Sequence, residues 1–409
     1  MTRLRNPTGA DGLPLAALFR LNVGRSLTFD DLIILPRYVE EPPAEVDLRT
    51  GIGSSLTLGP IMSSPMDRVT EWRTAVRMAL NGCIGMLHIN LSPDEAAKQV
   101  RKVKRFQMGF IYEPLCGKPT DRVEDARAVK ADHGFSTVLV TEDGLPTSRL
   151  LGIVTRTCID FETDASRPLR EVMIPREKLA VRESREVPTL EHVRRVFRSD
   201  PSLAKLPVLN ADGSVHALVI RRDVAVSEYP DAAVDCNNQL RVAAAVTTHP
   251  EDDERVRMLL DAGCDLIAID SSQGGTGFAV ARIKQIRSLN PDVAIVAGNV
   301  VSPEQAVPLL EAGANALRIG MGPGSICITQ EQYGLGRGQS RAIHDTAHVA
   351  APTIADGGIR HAGDMVKSLA CGASFVMVGR YIAGCDETPS PLIEDNGRKY
   401  KLYRGMGSL

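Results

Sequence analysis

Eight short apolar segments recur along the chain, and most are followed by a stretch long enough for an amphipathic helix. A buried parallel strand followed by a crossover helix produces this alternation. The predicted strands are 60–64, 84–88, 242–246, 266–270, 294–298, 316–320, 353–357 and 375–379. Eight such units predict an α/β fold whose strands close into a (β/α)8 TIM barrel.

Three segments repeat one local pattern, in which a glycine ends a helix and a strand begins within a few residues. These segments are DAGCDLIAID from Asp261, EAGANALRIG from Glu311 and ACGASFVMVG from Ala370. Because each is the same helix-to-strand connection, the repetition favours a barrel built from similar units.

The regular spacing fails between the second and third predicted strands, where about 120 residues stand in place of one helix. We therefore predict an amino-terminal part of the barrel (1–108), an inserted domain (109–230) and a carboxy-terminal part of the barrel (231–409). The insertion is itself duplicated, since STVLVTEDG and LLGIVTRTCI are echoed by KLPVLNADG and HALVIRRDV. Each half predicts a strand, an Asp-Gly turn and a second strand leading into a helix.

The composition is that of an ordinary globular protein, with 43% hydrophobic and 24% charged residues. A formal net charge of -2 offers no basic field for nucleic acid, so no specific nucleic-acid partner is expected. The eight cysteines include no CxxC pair, which is typical of reduced thiols. Without a signal sequence or a run of about 18 apolar residues, we expect no membrane partner and a cytoplasmic location, an organelle remaining open.

The segment RIGMGPGSICITQ, from Arg318 to Gln330, predicts a strand and a glycine-rich loop that presents Cys327. Glycines allow tight turns and a close approach of backbone amides to a ligand, and hydroxyls lie beside the thiol. The residues concerned are Gly320, Gly322, Gly324, Ser325 and Thr329. This loop suits a covalent catalyst, whereas a structural cysteine in a glycine-rich turn is the alternative.

Polar or glycine residues also end several other predicted strands, and ligands of such barrels bind at the carboxyl ends of the strands. These ends carry Asp270-Ser271-Ser272, Gly298-Asn299, Asp356-Gly357-Gly358 and Gly379-Arg380. The last two follow strands seven and eight, where backbone amides commonly bind a phosphate. The pattern predicts a phosphate-bearing ligand at this face.

Six motifs in this order resemble the inosine-5'-monophosphate (IMP) dehydrogenase and guanosine-5'-monophosphate (GMP) reductase family over essentially the whole chain. They are SSPMD (63–67), DSSQG (270–274), GNVV (298–301), GMGPGSICITQE (320–331), ADGGI (355–359) and YRGMGS (403–408). The inserted duplication resembles a tandem pair of cystathionine-β-synthase (CBS) modules, a Bateman domain, as is typical of the dehydrogenase.

The resemblance implies that Cys327 attacks C2 of IMP and expels hydride to NAD, leaving a thioimidate, with Thr329 beside the water. Substrate binding is expected from Ser64, Asn299, Arg318, Ser325, Asp356, Gly357, Gly358, Gly379, Arg380, Tyr403, Gly405, Met406 and Gly407. Cofactor binding is expected from Asp270, Ser271, Ser272, Gly320 and Gly322. A potassium ion is expected at the carbonyls of Gly322, Gly324 and Cys327.

The resemblance also implies adenine or guanine nucleotides at the CBS pair, although a pair that only stabilises the protein is the alternative, and a homotetramer or octamer. Arg380 stands where the dehydrogenases usually have serine or glycine, and its guanidinium could grip a phosphate or crowd it. Family members continue beyond the position of Leu409 into a flap that helps to activate water. We therefore expect little turnover from residues 1–409 alone.

Three functions remain open. The motifs DSSQG, ITQE and RGMGS favour a dehydrogenase that oxidises IMP to xanthosine monophosphate (XMP) for guanine nucleotide biosynthesis. The segments AGCDE and KYKLYRGM have the character of an NADPH-dependent GMP reductase. A third possibility is a relative that binds purine nucleotides without turnover.

Overall fold

A computed structural model describes residues 14–36, 38–53, 56–106, 110–112, 114–133, 137–221, 224, 229, 231–237, 239–349 and 351–406. The chain divides into two compact units, one made of Met1–Lys104 and Asp231–Leu409, the other of Arg105–Pro230. In the part that the structure describes, no helix is long and apolar enough to cross a membrane.

Eight parallel strands close the barrel of the first unit, and the eighth strand pairs with the first. In barrel order they are Ile61–Ser63, Ile84–Leu87, Ala243–Val246, Leu266–Ile269, Ala294–Val300, Ala316–Ile319, Thr353–Asp356 and Phe375–Val378. The predicted (β/α)8 barrel is confirmed. Most strands end one residue before the predicted end, because the final polar or glycine residue already belongs to the loop, while the fifth continues to Val300.

Alternate residues of the strands fill the barrel interior, as the two-residue period of a strand requires. Large side chains such as Phe375 and Met377 face small ones such as Ala268 and Ala294, and all are buried. The hairpin Thr50–Ile52 and Leu56–Leu58 adds three buried apolar residues to this cluster. The core therefore extends into a short hairpin that precedes the first strand.

Helices follow most barrel strands and carry buried apolar faces. The α-helices of this unit are Leu15–Leu21, Trp72–Leu80, Pro93–Arg105, Asp253–Asp261, Gly277–Leu289, Pro303–Glu311, Thr329–Tyr333, Gln339–Thr346 and Ala362–Ala370. Short 3-10 turns occupy Phe29–Asp31, Pro43–Glu45 and Pro250–Asp252, and an exposed antiparallel hairpin joins Leu392–Asp395 to Arg398–Lys401. This hairpin delivers the chain to Tyr403.

The second unit contains two four-stranded sheets. One has the order Cys116–Gly117, Val138–Thr141, Leu150–Val154, Ile174–Pro175, and the other Arg182–Glu183, Lys205–Leu209, Val215–Ile220, Phe110–Ile111. The helices are Val123–His133, Arg156–Ile159, Leu169–Val172 and Leu190–Ser199, with a 3-10 turn at Arg176–Lys178.

Each repeated segment of this unit forms an antiparallel hairpin, Val138–Thr141 with Leu150–Val154 and Lys205–Leu209 with Val215–Ile220. Both hairpins have a register irregularity at the same place, one residue before the first strand ends. Apolar residues of the two sheets share one buried cluster that includes Leu139, Ile153 and Leu218. The duplication in the sequence is therefore matched by two similar sheets packed together.

Candidate active site

Arg318 connects two carboxylates at the mouth of the barrel, the face formed by the carboxyl ends of the strands. Its Nη1 lies 2.6 Å from Oδ1 of Asp270, and its Nε lies 2.8 Å from Oδ2 of Asp356. The Arg318 side chain is 10% exposed. Burial alone lowers the pKa of this guanidinium, but Asp356 and Asp270 outweigh burial and raise it. The group is a fixed cation between the ends of strands four and seven.

Asn299, at the end of strand five, extends this network. Its Nδ2 donates to Oδ2 of Asp356 at 2.9 Å and to the carbonyl of Gly320 at 2.7 Å, and its backbone N–H donates to the Ser271 carbonyl at 2.8 Å. Oδ1 of Asn299 is buried and has no hydrogen-bond partner among the described residues. A buried acceptor without a donor is costly unless a ligand supplies one.

A second cluster forms around Gly379, which follows strand eight. A side chain at this position would place its Cβ 3.1 Å from Oη of Tyr403, 3.3 Å from Oγ of Ser64 and 3.3 Å from Sδ of Met66. Only glycine leaves this space open. Hydroxyls from strand one and from the carboxy-terminal segment therefore converge at the strand-eight loop.

Tyr403 also contacts the loop that carries the thiol. Burial raises the pKa of its phenol, while hydrogen bonds with Ser325 and with the backbone of Arg380 act in the opposite direction. The phenol is thus protonated at neutral pH and can donate a hydrogen bond. Arg380 itself is exposed, and no ion-pair partner for it is found among the described side chains. Tyr403, Ser325 and Arg380 together offer two hydroxyls, a backbone amide and a guanidinium to an anion.

The strand-seven loop lies directly against the cysteine loop. A Cβ on Gly357 would stand 2.9 Å from Cγ of Pro323 and 3.2 Å from the amide nitrogen of Gly324, and Gly358 also lies against Pro323. Because these loops touch, one region of the barrel mouth contains the hydroxyl cluster around Gly379, the network of Asp356 and the thiol of Cys327.

Cys327 is exposed, and its Sγ donates a hydrogen bond to Oγ1 of Thr329 at 3.2 Å. Its backbone N–H donates to the Gly324 carbonyl at 3.0 Å, which closes a tight turn. Thr329 begins the short helix Thr329–Tyr333. The turn holds a solvent-accessible sulfur beside a hydroxyl, an arrangement that suits a nucleophile and excludes the alternative of a buried structural cysteine.

The carboxy-terminal segment is fixed to the strand-one loop by an ion pair. Nη2 of Arg404 lies 2.5 Å from Oδ2 of Asp67, and the Asp67 N–H donates to Sδ of Met406 at 3.2 Å. Burial tends to raise the pKa of Asp67, yet the pairing with Arg404 holds it below its usual value. These contacts bring Tyr403 and Met406 to the mouth.

A family model described as the IMP dehydrogenase / GMP reductase domain matches residues 26–409. The inosine-5'-monophosphate dehydrogenase of Schizosaccharomyces pombe is 43% identical over 406 residues, which are 98% of this chain and 77% of that protein. The proteins of the same name from Trypanosoma brucei brucei and Toxoplasma gondii are 42% and 41% identical, over 100% and 98% of this chain and 80% and 73% of their own lengths. This chain belongs to the IMP dehydrogenase / GMP reductase family.

Solved structures of the family show the same fold. A cysteine-to-alanine variant of GMP reductase from Trypanosoma brucei superposes with a TM-score of 0.78 at 33% identity, covering 95% of this chain and 87% of that one. GMP reductase from the same organism in complex with guanosine 5'-triphosphate gives a TM-score of 0.74 at 34% identity, over 90% and 89% of the two chains.

The other family positions predicted from the sequence have fewer contacts. Oγ of Ser271 donates to the Gln273 carbonyl at 2.9 Å, Ser272 is exposed, and Gly322 lies against the side chain of Gln330. Gly405 is partly exposed beside the Asp67–Arg404 pair. Gly407 lies outside the described residues.

Three polar residues of the mouth escaped the prediction. Nε2 of Gln339 donates to the Ile319 and Asp356 carbonyls at 2.9 and 3.1 Å, and so supports strands six and seven. Nε2 of Gln330 donates to the Met321 carbonyl at 3.2 Å. His88 is 3% exposed, and its Nε2 lies 3.7 Å from Oε1 of Glu71, beyond hydrogen-bond distance. His88 follows strand two, so the strand-end rule that found Asp270 could also have found it.

Proposed function

We propose that this protein is an IMP dehydrogenase, which oxidises IMP to XMP with NAD. The observation that carries the proposal is the exposed thiol of Cys327, hydrogen-bonded to Thr329, in a loop that packs against the strand-seven loop beside Asp356. The names of the relatives at 41–43% identity support the same reaction.

In the proposed reaction the Cys327 thiolate forms a bond to C2 of IMP, and the hydrogen on C2 leaves with its electron pair as a hydride. The product of this step is a thioimidate between the sulfur and the purine. Water then adds to C2 and the carbon–sulfur bond breaks, which releases XMP and returns the thiol. The hydroxyl of Thr329, 3.2 Å from the sulfur, is placed to hydrogen-bond the thiolate or the incoming water.

The substrate phosphate is proposed to bind at Ser64, Ser325, Gly358, Gly379 and Tyr403, where glycine leaves space and hydroxyls converge. Gly357, Gly405 and Met406 line the surrounding loops in this assignment, and Gly407 is assigned to the same site from the sequence alone. Because its guanidinium is free among the described side chains, Arg380 is proposed to pair with the phosphate rather than to crowd it. The ribose hydroxyls would donate to Asp356 and to the unpartnered Oδ1 of Asn299.

NAD is proposed to bind beside strand four, near Ser271, Ser272, Gly320 and Gly322. The site fits a ribose diol, because Oδ2 of Asp270 has no partner among the described residues while Oδ1 is held by Arg318. When bound, NAD accepts the hydride in its nicotinamide ring. Asp270 would orient the ribose that carries this ring.

A potassium site is proposed at the carbonyls of Gly322, Gly324 and Cys327. Carbonyl oxygens suit a hard cation. The Gly324 carbonyl accepts one hydrogen bond from the Cys327 amide, which leaves its second lone pair for an ion. Three carbonyls form part of a coordination shell, and they would couple the ion to the conformation of the catalytic loop.

The domain division 1–108, 109–230 and 231–409 is also proposed, with the middle segment as a CBS pair that binds adenine or guanine nucleotides. Two similar packed sheets support this assignment. We further propose a homotetramer or octamer and a cytoplasmic location. Large apolar side chains are exposed in the amino-terminal segment, for example Ile33 at 89% and Tyr38 at 87%. Their exposure supports association with other copies of the chain.

GMP reductase is the second candidate, because solved structures of that enzyme superpose closely on this chain. The two reactions share the thioimidate but differ in the partner that leaves or attacks, water in one and ammonia in the other. A direct assay separates them, since a dehydrogenase produces NADH from IMP and NAD, and a reductase consumes NADPH with GMP.

The deciding experiment is rapid mixing of the protein with IMP and NAD, followed at the absorbance of NADH and by intact-protein mass spectrometry. We expect a burst of about one NADH per site and an adduct on Cys327. Oxidation of NADPH with GMP, without this burst, would assign the reductase instead. Nucleotide binding without any redox signal would identify a relative that does not turn over.

A further inference from the structure

Arg318 contacts carboxylates at the ends of two different strands, and a role in one ligand site would explain only one of these contacts. One guanidinium uses two different nitrogens to hold two carboxylates, Nη1 on Asp270 and Nε on Asp356, at 2.6 and 2.8 Å. With 10% of its side chain exposed, it cannot leave either carboxylate without uncovering buried charge. The two carboxylates are therefore held at a distance set by the width of one planar group.

Each carboxylate keeps one oxygen for something else. Oδ1 of Asp356 and Oδ2 of Asp270 accept no hydrogen bond from the residues that the structure describes. Both carboxylates belong to the barrel mouth, one at the end of strand seven and the other just after strand four. A ribose diol that donates to either free oxygen would fix the orientation of that carboxylate, and through Arg318 the orientation of the other.

We propose that Arg318 couples the substrate and cofactor ribose sites energetically, so that occupation of one increases the affinity of the other. This inference rests on the proposed function, which assigns Asp356 to the substrate ribose and Asp270 to the cofactor ribose. The first ligand fixes the rotation of one carboxylate about its side-chain bond, Arg318 passes this orientation to the other carboxylate, and the second ligand then meets an acceptor that is already oriented. Coupling of this kind is reciprocal and typically changes affinities about 5- to 150-fold.

The substitution Arg318→Lys tests the connection between the two carboxylates separately from the positive charge that they share. An ammonium is a single point charge that can remain beside one carboxylate, whereas the guanidinium presents separate donors to both. Arg318→Lys therefore keeps a cation in the mouth and removes the connection. Asp270→Asn tests the same connection from the other end, because it leaves the Arg318–Asp356 contact in place.

The test uses the full chain with Cys327→Ala, which cannot form the adduct, so that binding is measured at equilibrium. Calorimetry gives the affinity for IMP with and without saturating ADP-ribose, a probe that carries the cofactor ribose but lacks the nicotinamide and so avoids direct contact between the two rings. We expect IMP to bind at least fivefold more tightly with ADP-ribose present, and ADP-ribose to gain the same factor from IMP.

Adding Arg318→Lys, or Asp270→Asn at an ADP-ribose concentration that still saturates its site, should reduce this factor to less than twofold while each ligand still binds alone. Arg287→Lys is the matched control, because Arg287 is a partly buried arginine at the opposite face, and it should leave the factor unchanged. A coupling factor that survives Arg318→Lys, or one that is absent before any change to Arg318, overturns the inference and leaves the proposed function intact. Failure of the Cys327→Ala protein to bind IMP at all overturns the proposed function itself.

Discussion

The barrel has two faces, the mouth at the carboxyl ends of the strands and the amino face at their other ends. Each face has an arginine that is partly or fully buried, and the two arginines bind different kinds of partner. At the amino face, Arg287 donates to the carbonyls of Pro291, Val293 and Gly313 and to Oδ1 of Asn315, at 2.6 to 2.9 Å. At the mouth, Arg318 holds two carboxylates that each retain a free oxygen. The first arrangement closes a network within the protein, and the second leaves it open for a ligand.

The same contrast extends to the neighbouring charges. At the amino face, Nζ of Lys104 lies 3.0 Å from Asp235 and 2.6 Å from Asp265, and Asp265 also pairs with Arg241. At the mouth, buried atoms of Asp67, His88 and Asn299 have no hydrogen-bond partner in the described part of the chain. Since such atoms are normally satisfied in native proteins, those at the mouth are candidates for hydrogen bonds from a ligand, whereas others, such as Oγ1 of Thr141, belong to the second unit.

The largest test of this contrast compares two exposed cysteines, one on each face. Cys327→Ala should reduce NADH formation about 10⁴-fold or more, because a covalent route has no substitute for its nucleophile. Cys236→Ala, in the loop before strand three, should retain full activity. Both variants are assayed for the NADH burst and for IMP affinity, which should change less than about threefold in either. A large loss of IMP binding in Cys327→Ala would contradict the role of the thiol as nucleophile only.

Arg287→Met should reverse the pattern by lowering stability without changing binding. It removes the arginine donor from three carbonyls and from Oδ1 of Asn315, which still accepts from the Ile295 N–H, and this is expected to cost about 2–4 kcal/mol of unfolding free energy. Thermal unfolding measures the loss, and titration with IMP should give an affinity within about twofold of the unaltered chain. Weaker IMP binding at unchanged stability would show that the amino face also takes part in ligand binding.

Tyr403→Phe tests the mouth with a smaller change. Burial raises the pKa of this phenol, so it keeps its proton and can donate to a phosphate oxygen at neutral pH. Removal of one such hydrogen bond should weaken IMP binding about 5- to 20-fold, and inosine, which has no phosphate, should bind equally well to both proteins. Thermal stability should fall only slightly, by about 1 kcal/mol of unfolding free energy, because the lost hydroxyl makes hydrogen bonds with Ser325 and the backbone of Arg380 and a 3.8 Å contact with Sδ of Met66.

The barrel could be predicted from the sequence alone, because each of its strands is a short apolar segment and most of these segments are followed by a polar residue or a glycine. Leu266–Ile269 and Phe375–Val378 are buried on both faces, and buried parallel strands produce continuous apolar segments. The strand-end rule also located Asp270, Asn299 and Asp356. No local pattern, however, indicated that Arg318, an interior strand residue, would connect two of them.

Long-range pairings were beyond the reach of sequence patterns. Asp67 and Arg404 are separated by 337 residues, and each belongs to a motif that gave no reason to join them. Gln339 supports strands six and seven through two carbonyls, yet a glutamine on an exposed-looking helix carries no distinctive signal. Such contacts depend on the closure of the barrel, which brings the first strand beside the last.

The smallest expected effect concerns pH, and it compares His344 with a charged group at the amino face. The ring of His344, in the last turn of the helix Gln339–Thr346, stacks on Phe19 at 4.1 Å and so holds the amino-terminal helix Leu15–Leu21. Burial lowers the pKa of His344 below 6.5, and His348 and Arg341 act in the same direction against the opposing charge of Asp345. At the amino face, burial tends to raise the pKa of Asp235, but hydrogen bonds with Gln239 and Lys104 hold it below its usual value, so Asp235 stays ionised above about pH 5.

A histidine that is harder to protonate in the folded state stabilises fully above its unfolded pKa, and this contribution is lost as the pH falls below 6.5 towards the folded value. The protection factors of the amides in Leu15–Leu21, which are exchange rates corrected for the intrinsic pH dependence, should therefore fall below about pH 6.5, while those of the strands at the amino face stay constant. His344→Phe keeps a ring against Phe19 but cannot titrate, so its protection factors should show no step in this range. A step that persists in His344→Phe would assign the pH response to another group.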